Sequence, residues 1–157
     1  MNIINLGEQK TLLNQFIAEL RDEKIQTDSM RFRRNLERTG EIFAYEISKT
    51  LQYEEKQVVT PLGIASVMCP VEKPVLATIL RAGLPLHQGL LNYFDTADNS
   101  FISAFRKYSK DGTFHIELEY ISCPKLDNRI LIICDPMIAT GSSIILAYNA
   151  LIANGMP

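Results

Sequence analysis

The sequence predicts an α/β protein with a mainly parallel central sheet flanked by helices and a projecting β-hairpin. Three observations carry this reading. Two nearly continuous apolar runs, KPVLATIL at Lys73–Leu80 and ILIIC at Ile130–Cys134, have the composition of strands buried on both faces of a parallel sheet. Each is followed by a glycine-containing turn and then an apolar helical pattern, from about Leu84 to Phe94 and from about Ser142 to Ala153. Between them Phe114, Ile116, Leu118 and Tyr120 alternate with polar residues, as in a half-exposed strand, and Asp111-Gly112 ahead of them suits the turn of the projecting hairpin.

The remaining elements follow in order. Leu12, Leu13, Phe16, Ile17 and Leu20 share one helical face that ends near Arg21-Asp22. Thr27, Asp28 and Ser29 are candidate N-caps for a second helix carrying Phe32, Leu36, Phe43, Ile47 and Leu51. Its early face holds Arg31, Arg33, Arg34 and Arg38, read first as a solvated face and alternatively as a contact for phosphate or another subunit. Val58–Leu62 is a short strand closed by Pro61, with Ile64–Met68 as its partner in an edge hairpin; Phe101–Phe105 is another short strand. Ile130–Cys134 reads as a second central strand, and Gly155 stops the last helix. No repeat or low-complexity linker divides residues 1–157, so one domain is expected. The ending Asn154-Gly155-Met156-Pro157 reads as the start of a connection to a further strand, and the domain is expected to be incomplete at its C-terminus.

Composition narrows the class. A hydrophobic content of 46%, a charged content of 22% and a net charge of -2 describe an ordinary globular chain with no overall attraction to nucleic acid or anionic membrane. No signal-peptide pattern and no bilayer-length apolar run is present, so a cytoplasmic protein without a membrane partner is expected. Cys69, Cys123 and Cys134 lack CxxC spacing; buried reduced thiols are expected rather than a zinc site or disulfide scaffold.

Ligands of doubly wound sheets bind outside the carboxyl ends of the strands. Two strands end in informative turns, Arg81-Ala82-Gly83 and Asp135-Pro136-Met137-Ile138-Ala139-Thr140-Gly141-Ser142-Ser143. In the second, Gly141 permits close backbone approach, Thr140, Ser142 and Ser143 offer hydroxyls, and the following helix presents free N–H groups to an anion. An ordinary N-cap is an equal alternative on these residues alone. Neither GxxxxGK[ST] nor GxGxxG is present, which excludes a triphosphatase loop and speaks against a dinucleotide fold. Asp135 would repel a phosphate beside it but accept hydrogen bonds from sugar hydroxyls, so a ligand carrying both ribose and phosphate would use both ends of the turn. Arg81 and Arg106 supply candidate charge for a second, more highly charged group. His87 reads first as a helix-start residue without chemistry and alternatively as a ligand contact, and His115 as an exposed residue of the hairpin.

CDPMIATGSS resembles the phosphoribosyl pyrophosphate (PRPP) signature of type I phosphoribosyltransferases, and Asp-Pro-Met in place of two adjacent acids resembles the variant of uracil phosphoribosyltransferases. ILRAGL at Ile79–Leu84 resembles the same family's pyrophosphate loop, and Arg106, read on the loop before the projecting hairpin, its second PRPP-contacting arginine. LRD at Leu20–Asp22 and the helix after it extend the likeness over nearly the whole chain. The resemblance implies that Ala139 and Thr140–Ser143 cradle the 5-phosphate, with Pro136, Met137 and Ile138 in the same loop. It implies that Asp135 binds the ribose hydroxyls, Arg81, Ala82 and Gly83 the pyrophosphate, and that Arg106 adds charge there, making Arg106 and Asp135 the catalytic candidates. The implied substrates are PRPP and uracil, with Mg2+ delivered by PRPP; a homo-dimer or larger homo-oligomer and a nucleotide effector are implied partners. Ser142 stands where the family usually has a second glycine, and Pro85-Leu86-His87 replaces a glycine-containing stretch. No stretch resembles the glycine-rich segment that holds uracil in the family, so the base-recognition residues stay unassigned. The alternative function is a PRPP- or nucleotide-binding regulator with the same fold and little turnover. Contact of the arginine face with RNA is not expected, since no aromatic platform accompanies it.

Overall fold

The computed structural model describes the backbone of residues 3–108 and 114–157 and the side chains of residues 3–104 and 118–157. The N-terminal layer is helical. Helix α1 (Leu12–Arg21) buries Leu13 and half-buries Phe16 and Ile17, while Leu12 stays 69% exposed, so the apolar face is narrower than its spacing suggests. Of the candidate caps, Asp28 is the one used for α2 (Ser29–Ser48): its Oδ1 accepts from the N–H groups of Met30 and Arg31, both at 3.0 Å. Leu51 lies past the end of α2 and is still buried.

The arginine face of α2 is mostly exposed and carries surface ion pairs. Arg31 pairs with Glu19 of α1 at 3.2 Å and Arg34 with Glu37 at 2.8 Å. Arg38 donates to Asn35 Oδ1 at 3.2 Å and lies 5.2 Å from the centre of the Phe16 ring. Three of the four arginines thus pair within α2 or with α1 while Arg31, Arg33 and Arg34 stay exposed, which favours the reading of a solvated face.

After α2 the chain forms two strands, β1 (Tyr53–Thr60) and β2 (Gly63–Pro70), paired antiparallel. They make a sheet of their own rather than an edge of the central one. The sequence places the pairing correctly but not its neighbour, because alternation within a hairpin says nothing about what lies beyond it. Val59, Leu62, Ile64 and Met68 remain exposed on it.

The central sheet has the order β5-β4-β3-β6, formed by β3 (Val75–Leu80), β4 (Asp98–Tyr108), β5 (Phe114–Ser122) and β6 (Leu131–Cys134). β3 runs parallel to both β4 and β6, and β5 is antiparallel to β4. β6, expected at the centre, sits at the sheet edge among the described residues, and its first three residues are only half-buried. An apolar run reports that helices cover its faces; it does not report whether both hydrogen-bonding edges are used. The expected short strand at Phe101–Phe105 is the middle of β4. Beyond Ser103, the partner of Leu80, the register shifts and β4 continues paired with β5 alone. The hairpin therefore does project past the sheet; the Asp111-Gly112 turn and the His115 side chain lie outside the described residues.

Helix α3 (Leu84–Leu91) connects β3 to β4, and α4 (Ser142–Leu151) follows β6. The sheet separates two cores. Val75, Ala77 and Ile79 pack with Ile102, Leu126, Ala147 and Leu151 on the α4 side. Leu76 packs with Leu86, Leu90, Ala44 and Cys134 on the side of α2 and α3. Successive β3 side chains thus enter different cores, which is why the run has no polar alternation. Burial pushes the Cys134 thiol up to about 12, whereas Cys69 and Cys123 are partly exposed, so the expected buried thiols reduce to one. After α4, Gly155 turns with φ +123° and the chain folds back, Leu126 N–H donating to Asn154 O and Asn128 N–H to Met156 O, both at 3.0 Å. Among the described residues no helix is long and apolar enough to cross a membrane.

Helices α2 and α3 cross backbone to backbone at Gly40 and Gly89. A Cβ on Gly89 would stand 1.9 Å from Glu37 O, and one on Gly40 would stand 2.3 Å from Leu86 O. Asn92 Nδ2 clamps the crossing by donating to Glu37 Oε1 at 3.1 Å and Glu41 Oε1 at 2.9 Å. Gly89→Ala is expected to destabilise the fold by about 1–3 kcal/mol or more, because backbone overlap outweighs the ~1 kcal/mol that alanine brings to a helix. A urea midpoint equal to or above that of the unmodified chain would refute this.

Candidate active site

Because β3 and β6 are adjacent and parallel, with Thr78 opposite Cys134, the turns leaving them emerge side by side. The contact between them is direct: a Cβ on Gly83 would lie 2.9 Å from the carbonyl oxygen of Cys134. The two turns singled out in the sequence, separated by more than 50 residues of chain, therefore share one end of the sheet.

In the first turn Arg81 and Ala82 are exposed and Gly83 is buried. The Leu80–Arg81 peptide is cis. Gly83 has φ -71°, open to any residue; what demands glycine is space, since a Cβ would also meet Thr78 Oγ1 at 2.2 Å and Ile79 O at 2.9 Å. Its backbone N–H donates to Ile79 O at 3.1 Å, and its carbonyl accepts from His87 N–H at 2.9 Å.

In the second turn Asp135 is half-buried and its Oδ1 accepts from Met137 N–H at 3.2 Å, so one carboxylate oxygen shapes the loop. Pro136 is half-buried, while Met137, Ile138, Ala139 and Thr140 are exposed. Gly141 has φ +78° with no atom within 4 Å of a built Cβ; here the backbone conformation, not crowding, demands glycine. With Gly141 at its N-cap, α4 starts without a side-chain cap. The Thr140 and Ser142 hydroxyls lie 2.9 Å apart, and Ser142 N–H donates to Thr140 Oγ1 at 3.4 Å. Ser142 is exposed, so its extra Cβ crowds nothing in the protein; Ser143 is half-buried beside it. The result is an open loop with a carboxylate at one end and hydroxyls with helix N–H groups at the other, suited to a ligand that donates at one end and is anionic at the other.

Arg106 belongs to β4, opposite Ile116, rather than to a loop before the hairpin. It lies past Ser103, hence beyond the end of β3 on the side where both turns emerge; its side chain is outside the described residues. A cavity of about 860 Å³, lined in part by Leu13, Ile17, Phe43 and Ile47, lies between the N-terminal segment, α1 and α2 and includes none of the predicted site residues.

His87 lies in the first turn of α3, as read from the sequence, and is buried there. It is 4% exposed, its Nε2 lies 2.8 Å from Asn99 Oδ1, and its ring centre is 5.4 Å from that of Phe101. The available signal was spacing: His87 stands three residues before Leu90 and four after Gly83, on the buried face of α3. Burial lowers its pKa below the ordinary 6.5, opposed by the bond to Asn99. The unfolded chain then takes the proton first, so this contribution to stability is complete above about 6.5 and declines as pH falls from there through the folded pKa. Replacing His87 by leucine is expected to flatten that part of the stability-pH curve, read from urea midpoints at pH values on either side of 6.5; parallel curves for the two proteins would contradict this.

An open α/β sheet with an acid-led, hydroxyl-rich turn beside an arginine-glycine turn is the architecture of a phosphoribosyltransferase. The fold agrees with solved structures: the AQ2163 protein from Aquifex aeolicus superposes with a TM-score of 0.81 at 27% identity, covering 98% of this chain and 71% of that one. A hypoxanthine phosphoribosyltransferase from Staphylococcus aureus shares the fold at a TM-score of 0.51 and 12% identity, over 76% of this chain and 56% of that one. A profile of uracil phosphoribosyltransferase matches residues 7–157. The uracil phosphoribosyltransferase of Porphyromonas gingivalis is 55% identical over 157 residues, all of this chain and 73% of that protein. That of Methanothermobacter thermautotrophicus is 41% identical over 132 residues, 83% of this chain and 60% of that protein. The chain belongs to the uracil phosphoribosyltransferase family.

Proposed function

We propose that this chain is a uracil phosphoribosyltransferase domain that transfers the phosphoribosyl group of PRPP to uracil, releasing pyrophosphate and forming UMP. The observation that carries the proposal is the adjacency of the two turns at the ends of the parallel strands β3 and β6. In this reading Ala139, Thr140, Gly141, Ser142 and Ser143, with the first N–H groups of α4, hold the 5-phosphate, and Pro136, Met137 and Ile138 shape the loop. The oxygen of Asp135 not bound to Met137 N–H accepts from ribose hydroxyls. Arg81, Ala82 and Gly83 take the pyrophosphate, and Arg106 adds positive charge from β4.

Uracil N1 attacks ribose C1 as the C1–oxygen bond to pyrophosphate breaks, through an oxocarbenium-like transition state; the electron pair leaves with pyrophosphate, which also takes up the proton released from uracil N1. The chain's part is electrostatic: cationic groups stabilise the departing anion, and closure of the β4–β5 hairpin would exclude water. Mg2+ would arrive with PRPP, held by the oxygens of that substrate, while Asp135 at the turn keeps its free oxygen for the ribose hydroxyls. When bound, the ion would neutralise pyrophosphate charge. A single catalytic domain working in the cytoplasm as a homo-dimer or larger homo-oligomer, open to a nucleotide effector, completes the reading.

The test is pyrophosphate release measured with PRPP and Mg2+, with and without uracil. Uracil-dependent release with UMP as product supports the proposal. PRPP binding without UMP formation would replace it by the regulatory alternative.

A further inference from the structure

Helix α3 begins at the turn proposed to take pyrophosphate, and two bonds from one residue hold its first turn. The backbone N–H of His87 donates to Gly83 O at 2.9 Å, and its side chain meets Asn99 of β4 at 2.8 Å. Asn99 Nδ2 donates to Ala97 O at 3.4 Å, which leaves Oδ1 as the acceptor and requires the hydrogen of the neutral imidazole on Nε2. Nδ1 is then a bare acceptor, buried and without a partner among the described residues. Thr78 Oγ1, fully buried beneath Gly83, is likewise without one.

A polar pair at this place is unexpected on packing grounds. Asn99 is the register partner of Leu76, which packs with Leu86 and Leu90 of α3, and an apolar side chain at His87 would avoid the cost of burying an imidazole with one nitrogen unpaired. A hydrogen bond fixes what apolar contact leaves free to slide, namely the distance between two elements. The elements here are the start of α3, carrying Arg81–Gly83, and β4, carrying Arg106.

We propose that His87, as the neutral Nε2–H tautomer bonded to Asn99, is a positioning residue that sets the Arg81–Gly83 turn against β4 and thereby sets PRPP affinity, an inference that rests on the functional reading above. His87 touches no reacting atom; it acts through Gly83. Displacement of a binding loop by a fraction of an ångström is enough to weaken a bidentate anion site.

The experiment has two arms on the full chain. Nitrogen-15 NMR of the imidazole at neutral pH is expected to show a protonated Nε2 and an unprotonated Nδ1; the opposite tautomer would overturn the proposal. Calorimetric titration with PRPP and Mg2+, well below the unfolding temperature of each variant, is expected to show binding weakened about fivefold to tenfold in His87→Leu, the order of one lost hydrogen bond. His87→Gln, whose amide still donates to Asn99 Oδ1, is expected to recover to within about twofold. Unchanged PRPP affinity in His87→Leu, whatever its stability, would overturn the positioning role alone. A wild-type chain that binds no PRPP would overturn the functional reading and this inference with it, and the two failures are thereby distinct.

Discussion

Gly83→Ala is expected to abolish measurable PRPP binding and to lower stability by about 1–3 kcal/mol or more, the range for overpacked sites. The cause is not conformational, since φ at Gly83 is -71°. The added methyl would stand 2.2 Å from Thr78 Oγ1 and 2.9 Å from the carbonyl oxygens of Ile79 and Cys134. The last two are backbone atoms of the strands from which both turns spring, so relief requires moving the first turn away from the second. Gly141→Ala gives the contrast. It meets no atom within 4 Å, but φ is +78°, so its cost is left-handed strain of roughly 1–3 kcal/mol without any clash. Urea denaturation with PRPP calorimetry on each variant checks this; a Gly83→Ala protein with normal stability and normal PRPP affinity would show the turns to be independent.

Asp135→Asn is expected to weaken PRPP binding by about tenfold to a hundredfold while leaving the fold intact. One oxygen of Asp135 accepts from Met137 N–H at 3.2 Å, and the Oδ1 of asparagine preserves that bond. What changes is the other half of the group: an anionic acceptor becomes an amide donor facing ribose hydroxyls that themselves donate. Hydrogen bonds to a charged group contribute about 1.5–3 kcal/mol each, and 1.4 kcal/mol is one factor of ten. Unaltered affinity in a folded Asp135→Asn protein would remove Asp135 from the ribose site, leaving it a turn-shaping residue.

The candidate site was legible where its chemistry is local. Asp135, Gly141 and the Thr140–Ser143 hydroxyls occupy one short segment, and the requirement for positive φ at Gly141 is a property of a few residues. Gly83 was read only as a pyrophosphate contact; the need for glycine there comes from the protein's own β3 and β6, whose backbone a Cβ would meet. His87 was legible as a helix-start residue from its neighbours Pro85 and Leu86, but its burial depends on Asn99 and Phe101 of another strand. Arg106 was assigned to a loop because β4 runs on past the sheet, supported there by β5 alone.

By itself the sequence determined the elements and their order: a capped start for α2 within Thr27–Ser29, the apolar strands, the turns after β3 and β6, and the stop at Gly155. Caps, turns and hydrophobic periodicity are interactions over a few residues, and no distant partner is needed to make them. Only the tertiary structure decided that β6 lies at an edge, that β1 and β2 form a separate sheet, that the α2 arginines are bound up with α1 and their own helix, and that His87 is buried against β4. Each of these is a choice of neighbour between residues far apart in the chain. A residue's own pattern registers how much of its surface must be covered, and only the packed fold establishes what covers it.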